Sequence, residues 1–108
     1  MKVNYPPISV NKVWQGRRFK TNAYKTFEQD LFRILPRQKM ITGYVVVEYE
    51  FHVKHFLRVD VDNFIKPFQD VLVKMGYIED DRKIVTIIAK KIKSDIDFIV
   101  FNIYQVKE

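Results

Sequence analysis

The sequence has no cysteine and only two histidines, His52 and His55, among its 108 residues. The first absence excludes a disulfide scaffold and a thiolate zinc site, and the second excludes a histidine-rich metal centre. With three glycines and four prolines there is no flexible linker, no low-complexity stretch and no internal repeat. A single domain over residues 1–108 is therefore expected, since domains commonly run to about 100–200 residues. No apolar run approaches the roughly 20 residues of a membrane span. The opening Met1-Lys2-Val3-Asn4-Tyr5-Pro6-Pro7 lacks the apolar stretch of a secretory signal, so a cytoplasmic location is the expectation.

What is present is a large apolar fraction. Hydrophobic residues make up 47%, including nine Phe and six Tyr, which is enough for a real core and excludes a disordered tail. Nineteen Lys and Arg face thirteen Asp and Glu, a formal net charge of +6. Such an excess points to a polyanionic partner, nucleic acid being the commonest. The acids are unevenly placed. Residues 1–58 hold four (Glu28, Asp30, Glu48, Glu50), whereas residues 60–81 hold six (Asp60, Asp62, Asp70, Glu79, Asp80, Asp81).

Local pattern organises the chain. Lys2–Tyr5 is a short strand candidate stopped by Pro6-Pro7. Residues 6–20 read as a loop with a basic, aromatic tail, Trp14-Gln15-Gly16-Arg17-Arg18-Phe19-Lys20. Tyr24, Phe27, Leu31 and Ile34/Leu35 recur at helical steps, with Thr21 as N-cap and Pro36 as the stop. From Thr42 to Lys54 the period becomes two, placing Val45, Val47, Tyr49, Phe51 and Val53 on one buried face. A second helix is expected from about Asn63 to Met75, with Phe64, Phe68, Val71, Leu72 and Met75 inward and Gly76 at C′. Lys66, Asp70 and Lys74 follow one another at steps of four on its wet face, where opposite charges support each other. Pro67 argues that this helix starts late enough to hold it in the first turn. Ile84–Lys93 and Ile96–Val106 read as strands, and Ser94-Asp95 between them predicts a two-residue hairpin turn. The expected fold is α+β, a two-layer domain with a mostly antiparallel sheet of about four strands and two helices on one face.

The chemistry concentrates in Arg58-Val59-Asp60-Val61-Asp62-Asn63-Phe64-Ile65-Lys66 and in Gly76-Tyr77-Ile78-Glu79-Asp80-Asp81. In an extended segment Asp60 and Asp62 point the same way, and paired carboxylates repel unless a cation lies between them. Three or four carboxylates without His or Cys make a hard, all-oxygen site suited to Mg²⁺ or Mn²⁺. In a basic protein such a site suits phosphodiester hydrolysis, with Lys66 one helical turn after Asp62 as a point charge for phosphate. Each residue also has a structural reading. Asp62 is an N-cap, a ligand or both; Asp80-Asp81 are turn residues or ligands; Asp70 is a helix ion-pair partner; His52 and His55 are solvated or DNA-facing. Asp60 neither caps nor turns anything evident.

Asp60-Val61-Asp62-Asn63, then Lys66, Asp70-Val71-Leu72, Gly76 and Asp80-Asp81, resembles the signature of the RusA family of Holliday junction resolvases, many of them phage-encoded. Pro6-Pro7-Ile8-Ser9-Val10-Asn11 also resembles the family's N-terminal segment, with one inserted residue. The resemblance implies a homodimeric, Mg²⁺-dependent endonuclease that nicks four-way DNA junctions symmetrically. It implies Asp60, Asp62 and Asp81 as metal-binding acids, Asp80 as a supporting acid and Lys66 as a catalytic or phosphate-contacting lysine. The candidate DNA contacts are Lys12, Arg17, Arg18, Lys20, Arg58 and Lys66. The alternative reading is a nucleic-acid-binding module without catalysis, in which the acids only cap and turn.

Overall fold

A computed structural model describes residues 1–12, 14–15 and 19–107. Six strands and two helices follow in the order β1 (Lys2–Val3), β2 (Trp14–Gln15), β3 (Phe19–Lys20), α1 (Asn22–Ile34), β4 (Val45–Val53), α2 (Asp62–Lys74), β5 (Ile84–Lys93) and β6 (Phe98–Gln105). Short 3₁₀ turns occupy Val10–Lys12 and Asp81–Lys83. The main sheet has the order β1-β6-β4-β5, and β2 and β3 form a separate antiparallel pair.

The alternation in β4 decides the layering. Val45, Val47, Tyr49, Phe51 and Val53 are buried, and they share one cluster with Tyr24, Phe27 and Leu31 of α1 and Phe64, Phe68, Val71 and Leu72 of α2. Side chains of one strand alternate between faces, so both helices cover the same side of the sheet, as the two-layer expectation had it. Thr21 Oγ1 accepts the Tyr24 N–H at 3.2 Å, which makes it the N-cap of α1.

The sheet itself is mixed, and the expected hairpin is absent. β5 runs parallel to β4 in the register Val45↔Ile84 to Val53↔Lys93, while β6 runs antiparallel to β4 on its other side. β4 therefore lies between the two strands that Ser94-Asp95 was expected to join directly. The connection instead crosses the end of β4, where Ser94 N–H donates to the Val53 carbonyl at 3.1 Å and Lys54 N–H donates to Asp97 Oδ1 at 2.7 Å. The reason is the crossover: a strand, a helix packed on the sheet and the next strand give a parallel pair. β4, apolar along a whole face, takes the centre.

Two local devices place the acidic segment. Pro67 is the sixth residue of α2, not a first-turn residue, because the helix begins at Asp62. It removes one i→i−4 hydrogen bond, but its ring is buried, and that burial offsets part of the cost. At the other end Gly76, at φ +78°, ends the helix in a left-handed turn. Its N–H donates to Val73 and the Tyr77 N–H to Leu72, both at 3.0 Å, the paired bonds of a Schellman cap. Tyr77 and Ile78 are fully buried and anchor the chain that leads to Asp80.

Tyrosine burial predicts alkaline sensitivity. Burial, with a hydrogen bond to Asp30 added, raises the Tyr5 hydroxyl to about 12, and burial raises Tyr24 to about 12. A hydroxyl that stays protonated longer in the folded chain than in the unfolded one favours the fold below the ordinary tyrosine value. Stability should therefore fall as pH rises from about 10 to about 12, read as a dropping urea midpoint beside phenolate absorbance. A midpoint flat across that range would count against it.

Candidate active site

The first pair of acids sits where the chain leaves β4 and enters α2. Asn63 N–H donates to the Asp60 carbonyl and Phe64 N–H to the Val61 carbonyl, each at 3.1 Å, so residues 60–64 form a turn that winds directly into the helix. Val61 holds the cap position in helical geometry without a side-chain bond. Asp62 is thus the first residue of the helix rather than its N-cap, a place where a carboxylate is favoured by the helix dipole. Asp60 and Asp62 are both exposed, and among the described residues neither carboxylate has a hydrogen-bond or ion-pair partner. Among the described residues, nothing structural accounts for Asp60's charge.

The loop carrying Asp60 is held from a distance. Lys91 of β5 donates from Nζ to the Val59 carbonyl at 3.0 Å, and the same ammonium lies 4.4 Å from the centre of the Phe56 ring. Lys91 therefore positions the residue immediately before Asp60. Sequence pattern shows Lys91 only as one member of a strand, because its partner lies 32 residues away.

Asp62, Lys66 and Asp70 are spaced four apart on α2 and line one face. Lys66 Nζ is 3.0 Å from Asp70 Oδ1 and 3.4 Å from Asp81 Oδ2. The bond to Asp70, with Asp81 adding, pushes the lysine above its ordinary value, so it is a firm cation. The 3₁₀ turn at Asp81–Lys83 packs back against α2, where Asp81 meets Lys66. β5 starts beside the first residue of β4. Asp81 thus enters from one end of the crossover and Asp60 from the other.

Asp80 has a different setting from Asp81. It caps the 3₁₀ turn, its Oδ1 accepting the Arg82 N–H at 2.8 Å, and the Arg82 guanidinium donates to Oδ2 at 2.8 Å. Those bonds hold the Asp80 carboxyl well below the usual carboxylate range. Arg82 was not among the sequence candidates, although its place two residues after Asp80 is the spacing of a turn cap.

Of the candidate DNA contacts, Arg17 and Arg18 lie outside the described residues. Lys12 closes the 3₁₀ turn Val10–Lys12, and Lys20 pairs with Trp14 across the β2–β3 ladder. Arg58 is exposed in the loop before Asp60, and its N–H donates to the His55 carbonyl at 3.1 Å. His52 faces away from the helices, stacked on Phe98 at 4.1 Å between ring centres and 3.0 Å from Glu50. His55 is exposed beyond the strand.

Among the described residues, no three His, Asp or Glu side chains are gathered closely enough to hold a metal ion. The donors present nonetheless suit magnesium. Mg²⁺ prefers oxygen, keeps several waters, and is commonly held by one or two carboxylates plus substrate phosphate. Asp60 and Asp62 are two such carboxylates, exposed and uncommitted among the described residues.

Asp70 offers a sharp contrast with Asp60. If its role is confined to the Lys66 pair, Asp70→Asn should lower stability by about 0.3–0.5 kcal/mol, the worth of an exposed i,i+4 pair. DNA cleavage should stay within about threefold of wild type. A hundredfold loss of cleavage would give Asp70 a direct part in the chemistry.

The fold and site together define a basic α+β domain whose crossover helix presents carboxylates and a lysine on one face. The family model described as endodeoxyribonuclease RusA matches residues 6–103, and the chain belongs to the RusA endodeoxyribonuclease family. No curated protein matches it. No helix among the described residues is long and apolar enough to cross a membrane.

Proposed function

We propose that this protein is a Mg²⁺-dependent endonuclease that resolves four-way DNA junctions in recombination and repair, acting as a homodimer. Phage origin is consistent with the family's spread. The observation that carries the reading is the uncommitted pair Asp60 and Asp62 at the head of α2, one turn from Lys66, in a chain whose family is endodeoxyribonucleolytic.

Asp60 and Asp62 would hold the metal, with Asp81 completing the set; Mn²⁺ has the same donor preference. When bound, the ion activates water, polarises the scissile phosphate and neutralises the leaving oxygen. Lys66 places a fixed positive charge one turn beyond Asp62, where it would meet phosphate oxygens. Asp80, locked to Arg82, stiffens the turn that carries Asp81. Lys91 keeps the Asp60 loop seated on β5. Water adds to phosphorus and the bond to the 3′ oxygen breaks, leaving a 3′-hydroxyl and a 5′-phosphate that ligase can rejoin. Arg58 and the basic residues Lys12, Arg17, Arg18 and Lys20 would draw in the DNA backbone. Their contacts release counterions, so binding should weaken steeply with salt.

A domain of 108 residues supplies one set of these acids, and paired cuts across a junction need two related sets, which a two-fold dimer provides. The test is cleavage of a synthetic four-way junction with and without Mg²⁺, beside sedimentation at micromolar concentration. Metal-dependent symmetric nicks and a dimer are expected. Binding of branched DNA with no cleavage in Mg²⁺ or Mn²⁺ would replace this reading with the non-catalytic module.

A further inference from the structure

A cleft of about 420 Å³ opens beside the Asp60 loop. Its volume falls within the roughly 300–1,000 Å³ of small-ligand sites. Its lining includes the apolar residues Ile8, Val53, Val59 and Phe64. It also includes the polar residues Asn11, His55, Arg58 and Asp97. Three contacts hold its rim in place without a ligand. Ser9 Oγ, in a buried residue, accepts the Asn11 N–H at 3.2 Å. The Arg58 N–H donates to the His55 carbonyl at 3.1 Å, and the Lys54 N–H donates to Asp97 Oδ1 at 2.7 Å. The Val59 wall is the residue that Lys91 clamps, and Asp60 follows it directly.

We propose that this cleft receives one unstacked nucleotide next to the scissile phosphate, with its base against the apolar lining residues and its phosphate on Arg58 and His55. The inference rests on the endonuclease reading and extends it by naming a base-accepting subsite. Charge and shape choose the occupant. A flat aromatic base suits the apolar residues of the lining, and an anionic phosphate suits its arginine and imidazole. Asp97, the one acid among the described lining residues, accepts the Lys54 N–H and as a carboxylate can only accept hydrogen bonds, so it can meet the donor groups on a base edge. Taking a base out of a duplex costs a few kcal/mol, least where stacking is already interrupted, and a branch point is such a place.

The test uses the full chain, labelled with ¹⁵N, and the four deoxynucleoside monophosphates at millimolar concentration. Saturable amide shifts are expected at Val53, Val59 and Phe64, clearly smaller with 2-deoxyribose 5-phosphate or inorganic phosphate. Asn11→Trp, a bulky residue at an exposed rim position, should weaken the nucleotide at least about tenfold, and Arg58→Ala should weaken nucleotide and sugar phosphate alike. Equal shifts from inorganic phosphate would reduce the cleft to an anion site and overturn the proposal. So would the absence of saturable shifts there, or a folded Asn11→Trp protein that binds as wild type does. Junction cleavage is measured separately: cleavage without nucleotide binding sinks the subsite alone, and nucleotide binding without cleavage sinks the nuclease reading alone.

Discussion

Asp60→Asn is expected to reduce junction cleavage by roughly 10²–10⁴-fold, the range lost with a group acting directly in the chemistry, while binding and unfolding midpoint stay close to wild type. The separation of the two effects follows from the setting of the side chain. Asp60 is exposed, and among the described residues its carboxylate bonds to nothing that the substitution would leave unpaired. The part of Asp60 that shapes the turn is its carbonyl, which accepts the Asn63 N–H and which asparagine keeps. Removing one of two neighbouring negative charges also relieves repulsion with Asp62, so any change in stability should be slightly favourable. Cleavage kinetics on a labelled four-way junction in Mg²⁺, with urea unfolding of the same preparation, checks both halves. Equal cutting by Asp60→Asn and wild type would remove Asp60 from the chemistry, and with it the central support of the proposed mechanism.

The largest stability effect is expected at Phe68. Its side chain is fully buried and meets Tyr49 edge-on at 5.6 Å, Phe51 at 6.4 Å and Phe101 at 5.3 Å. It therefore joins α2 to the two central strands, β4 and β6, in one aromatic cluster. Phe68→Ala removes the burial of the ring and leaves a cavity that β4 and β6, paired to each other along their length, cannot easily close. Such substitutions cost about 3–5 kcal/mol, and at about 4–8 °C per kcal/mol for a domain near this size the melting temperature should drop by tens of degrees. Urea unfolding gives the direct measurement. A loss under about 1 kcal/mol would mean that the core around α2 is looser than these contacts imply. Below its melting range the variant should still cleave, because Phe68 lies on the buried face of the helix and Lys66 on the exposed one.

The parts of the molecule legible in the sequence are those governed by near neighbours. The α1 residues three and four apart, the Thr21 cap, the alternation of β4 and the left-handed Gly76 all obey rules that operate within a few residues. The expected start of α2 falls one residue late because Pro67, as an isolated helix penalty, argues for a place in the first turn. In the fold its ring is buried, and that burial offsets part of the missing bond. The hairpin between β5 and β6 misled for a related reason: Ser94-Asp95 is good turn chemistry, but a turn signal carries no information about which strand fills the gap between its arms.

The site divides along the same line. Asp60, Asp62 and Lys66 stand out in the sequence because seven residues place them around one helix start, and their order survives in the structure unchanged. Asp80 and Asp81 look equivalent as adjacent acids, yet one is bound to Arg82 and the other to Lys66. That distinction depends on how the segment after Gly76 folds back along α2. Lys91 beneath Val59 and the cleft between Ile8 and Phe64 join residues 32 and 56 positions apart, and no local pattern marks them. The sequence by itself determined the character of the protein: a basic, cysteine-free domain with hard oxygen donors gathered in one window, because composition and short-range spacing set charge, donor type and helix faces. Tertiary structure alone decided strand order, the partner of each acid and the existence of a cleft beside Asp60, because each of these arises where β4, α2 and β5 pack together.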